Sequence, residues 1–227
     1  MLFGGFQKLT TIDFPGLVSA LAFTQGCNFH CPYCHNAQLM PETPLPGAAP
    51  APDLDGILAF LRKRQGLLDG ITISGGEPCF QSGLDFLCRE AKALGYKVKL
   101  DTNGSFPQVV ERLLRGHLLN YVAVDVKTAP EAYAPALTRD ENAGEKLRET
   151  LRLLAASSVP FEARTTCVEP FVTAETVPAM AAIVPKKAPW FFQRANLPEK
   201  AEGMRALADA EITALIPRSH RKARLRA

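Results

Sequence analysis

The sequence predicts an α/β fold, a partial (β/α)6 barrel of parallel strands with outer helices, and three observations carry that expectation. Short β-branched runs alternate with longer amphipathic runs along the chain, which is the pattern of successive βα units. Six such units can be counted, fewer than the eight of a closed barrel. With 227 residues, 47% of them hydrophobic, the chain has enough apolar material for a full core without covalent staples.

The strands are expected at 18–23, 70–74, 97–102, 121–127, 161–167 and 190–193, and the helices at 54–64, 83–94, 107–115, 145–155, 175–183 and 203–215. Leu147, Leu151 and Leu154 show the helical period, because separations of four and three put them on one face while Arg148 and Arg152 point away. Residues 41–52 contain Pro41, Pro44, Pro46, Pro50 and Pro52, which exclude a helix or an inner strand and predict an exposed connector. No repeat or shift in composition marks a second domain, so residues 1–217 are expected to form one domain. In a parallel barrel the ligands gather at the carboxyl ends of the strands.

Charge narrows the function classes. The formal net charge is +3, but Arg218, Arg221, Lys222, Arg224 and Arg226 all lie in the last ten residues, and without them the chain is slightly acidic. A uniformly basic nucleic-acid surface is therefore not implied, and residues 218–227 read as a solvated, frayed basic tail. No run approaches the roughly 18 uncharged apolar residues of a membrane span, and the start of the chain lacks the features of a secretory signal. A cytoplasmic protein without membrane or nucleic-acid partners is expected.

Six cysteines in such a chain are expected to be reduced. Cys27, Cys31 and Cys34 fall within eight residues, whereas Cys79, Cys88 and Cys167 are scattered and read as buried thiols. The tight group reads as a metal site. A [4Fe-4S] cluster normally takes four thiolates, so three would leave one iron open to a substrate or cofactor. The spacing follows the first expected strand, where catalytic groups of a parallel barrel belong. Zinc is the competing reading, with the same cysteines and either His30 or His35 completing a Cys3His site, although the second knuckle usual in zinc fingers is missing.

The loop from Cys27 to Cys34, with Tyr33 just before the last cysteine, resembles the signature of the radical S-adenosylmethionine (SAM) superfamily. Ser74-Gly75-Gly76-Glu77-Pro78, after the second expected strand, is similar to the superfamily's glycine-rich motif, which holds the methionine amino group of SAM. Glycines permit close backbone approach to a ligand, and Glu77 can pair with an ammonium. Asp101-Thr102-Asn103-Gly104 and Asp125-Val126-Lys127 end the next two strands. The resemblance assigns Lys127 to the methionine carboxylate, Arg164 to the ribose side and Tyr33 to the adenine, and it groups His35 and Thr102 with the same pocket. It further implies that Asp101 and Asp125 help to bind a monovalent cation.

Within the superfamily the chain resembles the glycyl-radical activating branch, and most of all the activating proteins of anaerobic ribonucleoside-triphosphate reductases. The residues that carry this are Asp13-Phe14-Pro15-Gly16, Gln25-Gly26-Cys27-Asn28 and Cys34-His35-Asn36. The resemblance implies that a flavodoxin or ferredoxin reduces the cluster, that SAM is cleaved to a 5′-deoxyadenosyl radical, and that this radical takes hydrogen from a glycine of a partner enzyme. Asp13 to Gly16 are expected to form the rim that meets the partner's loop. Two alternatives stand beside this reading. One is a radical SAM enzyme acting on a small molecule, such as 7-carboxy-7-deazaguanine synthase, although that branch usually carries a tryptophan where this chain has Tyr33. The other is a metal-bearing interaction module without turnover, which would not explain the motifs at successive strand ends. His117 and His220 have no partner motif and are expected at the surface.

Overall fold

The computed structural model describes residues 1–48, 50–199 and 201–226. Within them the chain divides into two compact units. The first comprises Met1–Asn28, Asn36–Thr102 and Gln108–Val122, and the second comprises Phe29–His35, Asn103–Pro107 and Ala123–Ala227.

In the first unit, strands β1 (Phe3–Thr10), β2 (Ser19–Thr24), β3 (Gly70–Gly75) and β4 (Lys97–Thr102) are hydrogen-bonded in chain order. The β2–β3 and β3–β4 pairs are parallel, with Ser19 opposite Gly70 and Gly70 opposite Lys97. The sequence reading missed β1, which runs antiparallel to β2. Its middle is only half-buried or exposed and it contains a Gly-Gly pair, so it lacks the apolar density that marks an inner strand. Helix α1 (Leu54–Lys63) begins where the Asp53 carboxylate accepts the Gly56 N–H at 2.8 Å, and it buries Ile57, Leu58 and Leu61. Helix α2 (Leu84–Ala93) buries Leu84, Leu87, Cys88 and Ala91, a 3.6-residue stripe.

The second unit contains β6 (Phe161–Glu169), β7 (Trp190–Arg194) and β9 (Ala223–Arg226), paired parallel in that order, with the two-residue β8 (Arg205–Ala206) antiparallel to β6. Strand β5 (Tyr121–Asp125) and helix α3 (Pro107–Arg115) each have residues in both units. Helix α4 (Ala143–Ala156) buries Leu147, Leu151 and Leu154 as the periodicity requires. Helices α5 (Val177–Ile183), which buries Val177 and Met180, and α6 (Asp209–Leu215), which buries Ile212, belong to the same unit. The α/β class with mainly parallel strands agrees with the sequence expectation.

Three expectations are corrected. The segment from 203 is not helical at its start, because Arg205–Ala206 pairs with β6 and only Asp209–Leu215 is helix. Residues 223–226 do not fray: Ala223–Arg226 adds β9 beside β7, Arg226 pairs with Glu162 at 2.9 Å, and its guanidinium lies 3.8 Å from the Phe191 ring centroid. His220 is buried, 2% exposed, with a ring nitrogen 2.9 Å from the Val184 carbonyl and its ring 5.3 Å from Trp190. The described part of the 41–52 connector has neither helix nor strand and is mostly exposed. Ala49 of that connector and Ala227 of the tail lie outside the described residues.

Candidate functional site

In the first unit the glycine-rich motif is strapped to the chain that leads to Cys27. The Gly76 N–H donates to the Thr24 carbonyl at 2.9 Å and the Glu77 N–H to the Gly26 carbonyl at 2.8 Å, while the Gly26 and Cys27 N–H groups donate to Leu39 and Met40. Gly75 has φ +115, and a Cβ there would collide with the Thr24 backbone; a Cβ on Gly76 would collide with the Gly26 carbonyl. The close approach that requires glycine is therefore to the protein's own backbone, where the sequence reading expected a ligand.

Glu77 is buried, and its Oε1 accepts the Cys79 N–H at 2.9 Å and the Thr102 hydroxyl at 2.7 Å. Thr102, at the end of β4, thus meets the motif at the end of β3. Three residues earlier on β4, Lys99 donates to Asp101, and both are buried. The sequence reading passed over Lys99, although a lysine inside a strand with apolar neighbours Val98 and Leu100 is a usable signal of a buried charge pair.

The expected rim at Asp13 to Gly16 lies at the other end of the strands. Phe14 is buried, and its ring packs against Gly70, the first residue of β3, and stands 6.2 Å from the Tyr121 ring at the start of β5. Asp13 accepts the Thr10 hydroxyl at 2.5 Å. Phe14 thus covers the amino ends of the strands, the end away from Gly75 and Thr102, while Pro15 and Gly16 beside it are exposed, so the rim expectation is corrected.

The second unit holds the rest of the cysteine loop. The Cys34 N–H donates to the Cys31 carbonyl at 3.0 Å, a tight turn carrying both thiols. The His30 N–H donates to the Leu137 carbonyl, its ring nitrogen lies 3.1 Å from the Pro135 carbonyl, and Phe29 packs edge-on against Tyr133 at 5.9 Å. His30 is thereby anchored to Leu137 and Pro135, and both His30 and His35 are exposed. The Tyr33 ring is buried 5.0 Å from Phe171, and its hydroxyl is buried without a partner among the described residues. Burial pushes the Cys31 thiol up, with Lys127 pulling the other way, and burial likewise raises Tyr33.

Asp125, at the end of β5, lies between two cations: Arg164 Nε is 3.0 Å from Oδ1 and Lys127 Nζ is 3.2 Å from Oδ2. Burial would raise the Asp125 carboxyl, but Arg164 and Lys127 outweigh it and hold the pKa down at about 2. Burial opposes the Lys127 charge too, yet Asp125 foremost, then Cys31, keeps that ammonium charged well above its usual range. The Lys127 N–H donates to the Tyr133 hydroxyl at 2.9 Å, so Tyr133 touches both the cysteine loop and the Asp125–Lys127 strand end. Neither Tyr133 nor Phe171 was singled out from the sequence, because single aromatics in loops carry no period or spacing.

Asp101, Thr102, Gly75, Gly76, Glu77 and Cys27 thus belong to the first unit, and Cys31, Tyr33, Cys34, His35, Asp125, Lys127 and Arg164 to the second. No group of three or more His, Cys, Asp or Glu within the described residues is drawn together as for a metal ion. Among the described residues no cysteine forms a disulfide.

The family model of the radical SAM superfamily matches residues 21–181, which include every one of these positions. The chain belongs to the radical SAM superfamily. A protein of Methanocaldococcus jannaschii, named provisionally as a glycyl-radical enzyme activating enzyme, is 36% identical over 187 residues, 81% of this chain and 75% of that protein. The 7-carboxy-7-deazaguanine synthase of Methanothermobacter thermautotrophicus is 36% identical over 107 residues, 46% of this chain and 39% of its own. The pyruvate formate-lyase-activating enzyme of Staphylococcus epidermidis is 36% identical over 103 residues, 43% of this chain and 39% of its own. The chain therefore matches well under half the length of the last two. A crystal structure of a radical SAM methyltransferase from Sphaerobacter thermophilus shares the fold, with TM-score 0.67 and 14% identity over 96% of this chain and 68% of that one.

Radical SAM enzymes use a [4Fe-4S] cluster and SAM. The residues present fit both: the C-x3-C-x2-C spacing of Cys27, Cys31 and Cys34 in the sequence suits iron–sulfur ligation, and each unit by itself offers polar groups suited to a cofactor, a buried Glu77 in the first, and in the second a charged Lys127 and a buried Tyr33 hydroxyl without a partner among the described residues. A monovalent cation fits less well, since Asp101 and Asp125 each already carry a basic side chain of their own unit. Among the described residues, no helix is long and apolar enough to cross a membrane.

Proposed function

We propose that this radical SAM enzyme activates a glycyl-radical enzyme, taking hydrogen from a glycine of a partner similar to anaerobic ribonucleotide reductase. The observation that carries the reading is the 36% identity to the M. jannaschii protein across 81% of this chain, against 46% for the deazaguanine synthase. The similarity to pyruvate formate-lyase-activating enzymes supports the same branch.

Cys27, Cys31 and Cys34 would hold the cluster, leaving one iron for SAM. When bound, cluster and SAM supply one-electron cleavage of a sulfur–carbon bond, and with it the power to take hydrogen from an unactivated carbon. The protein's part is binding and positioning. Glu77 would receive the methionine amino group, and the two donors already on Oε1 keep that carboxylate from turning. Lys127, held charged by Asp125, would receive the methionine carboxylate, with Arg164 on the far side of the same aspartate. Tyr33, wedged on Phe171, would close the adenine side and keep water from the thiols. Flavodoxin or ferredoxin would deliver the electron.

The deciding experiment mixes reduced enzyme, SAM and the glycyl-radical enzyme encoded by the same genome and records an electron paramagnetic resonance spectrum. A glycyl doublet that disappears when the partner glycine is changed to alanine is the expected result. Deoxyadenosine formation driven by a small molecule alone, with no doublet, would replace this reading with the deazaguanine-synthase type of chemistry.

A further inference from the structure

We propose that the Lys99 ammonium serves, at Asp101, as a built-in monovalent cation, so that the protein holds its cofactors without binding potassium or sodium. The inference deepens the activating reading and rests on it for the role of Asp101. Lys99 is 2% exposed and donates to Asp101 Oδ1. The two residues are separated by two positions on β4, so their side chains leave the same face of the strand. Thr72 is the register partner of Lys99 on β3, and its Oγ1 is buried without a hydrogen-bond partner among the described residues.

A fully buried ammonium is costly unless it meets an opposite charge with good geometry, and lysine is among the residues least often buried. Here it has one carboxylate, and that carboxylate is one of the two to which the resemblance assigned a metal cation. An ammonium and a potassium ion carry the same charge at similar size, and both seek oxygen, so a tethered Lys99 Nζ at Asp101 removes the charge that would recruit a free ion. The second carboxylate is treated alike within its own unit, where Asp125 has Lys127 at 3.2 Å and Arg164 at 3.0 Å. Each aspartate is neutralised by the chain itself.

The test compares potassium chloride with tetramethylammonium chloride at equal ionic strength on the anaerobically reconstituted protein. The thermal midpoint is read without SAM, and SAM affinity by equilibrium dialysis. For the wild type the two salts should give midpoints within about 1 °C and affinities within about twofold, since no cation site needs filling. In Lys99→Met the vacated carboxylate should recruit the ion, so potassium should raise the midpoint over tetramethylammonium by roughly 3–6 °C, with saturation. Lys99→Met combined with Asp101→Asn should lose that response and Lys99→Arg should remain indifferent to potassium, whereas a merely structural lysine predicts no potassium response in Lys99→Met. A saturable potassium response of the wild type overturns the proposal, as does a folded Lys99→Met protein that ignores potassium; if Lys99→Met does not fold, the wild-type titration decides. Absence of the glycyl doublet would instead refute the activating reading, and the midpoint data would still judge Lys99.

Discussion

Changing Asp125 to asparagine keeps the shape of the side chain and removes the charge between Lys127 and Arg164, whose side chains are 18% and 16% exposed. In the native protein those cations hold the Asp125 carboxyl at about 2 against an ordinary 3.8. A difference of nearly two pH units corresponds to about 2.5 kcal/mol of differential interaction. Because the carboxylate is 33% exposed, solvent screening reduces this, and about 1–2 kcal/mol is expected at pH 7. The assay is urea denaturation of wild type and Asp125→Asn at several pH values. The carboxyl is depressed in the folded protein, so the wild-type advantage should be full above about pH 4 and should fade as the pH falls toward 2. In a thermal melt of a chain of this size the pH 7 loss should appear as a midpoint lower by roughly 2–8 °C. Stabilities within about 0.5 kcal/mol at pH 7, or an advantage that grows on acidification, would refute the reasoning from the triad.

Other expectations are more direct. Anaerobically reconstituted protein should hold about four irons, and Cys27→Ala, Cys31→Ala and Cys34→Ala should each lose them by iron analysis, while Cys79→Ala, Cys88→Ala and Cys167→Ala should keep them. Tyr33→Phe removes a buried hydroxyl that has no partner among the described residues and should leave the urea midpoint unchanged or slightly raised, whereas Tyr33→Ala should cost about 3–5 kcal/mol. His220→Ala deletes the bond to the Val184 carbonyl and the packing on Trp190, and calorimetry should find it less stable by about 1–3 kcal/mol.

Much of this protein was legible in the sequence because the deciding signals are local. The C-x3-C-x2-C spacing, the Gly75-Gly76-Glu77 run after a β-branched segment and the Leu147, Leu151, Leu154 stripe each lie within a few residues, and period or spacing reveals them. The βα alternation set the class of fold for the same reason. What the tertiary structure alone decided involves residues far apart in the chain. β1 and β9 have little apolar pattern of their own and become strands through the backbone bonds that β2 and β7 offer. His220 is buried because Val184 and Trp190, both more than 25 residues away, supply an acceptor and a ring. Phe14 seals the amino ends of the strands because Gly70 leaves room for it, a fact no window around Phe14 contains. The electrostatic assignments belong to the same group: Arg164 meets Asp125 from 39 positions away, and Lys99 pairs with Asp101 only because a strand, unlike a helix, puts residues two apart on one face.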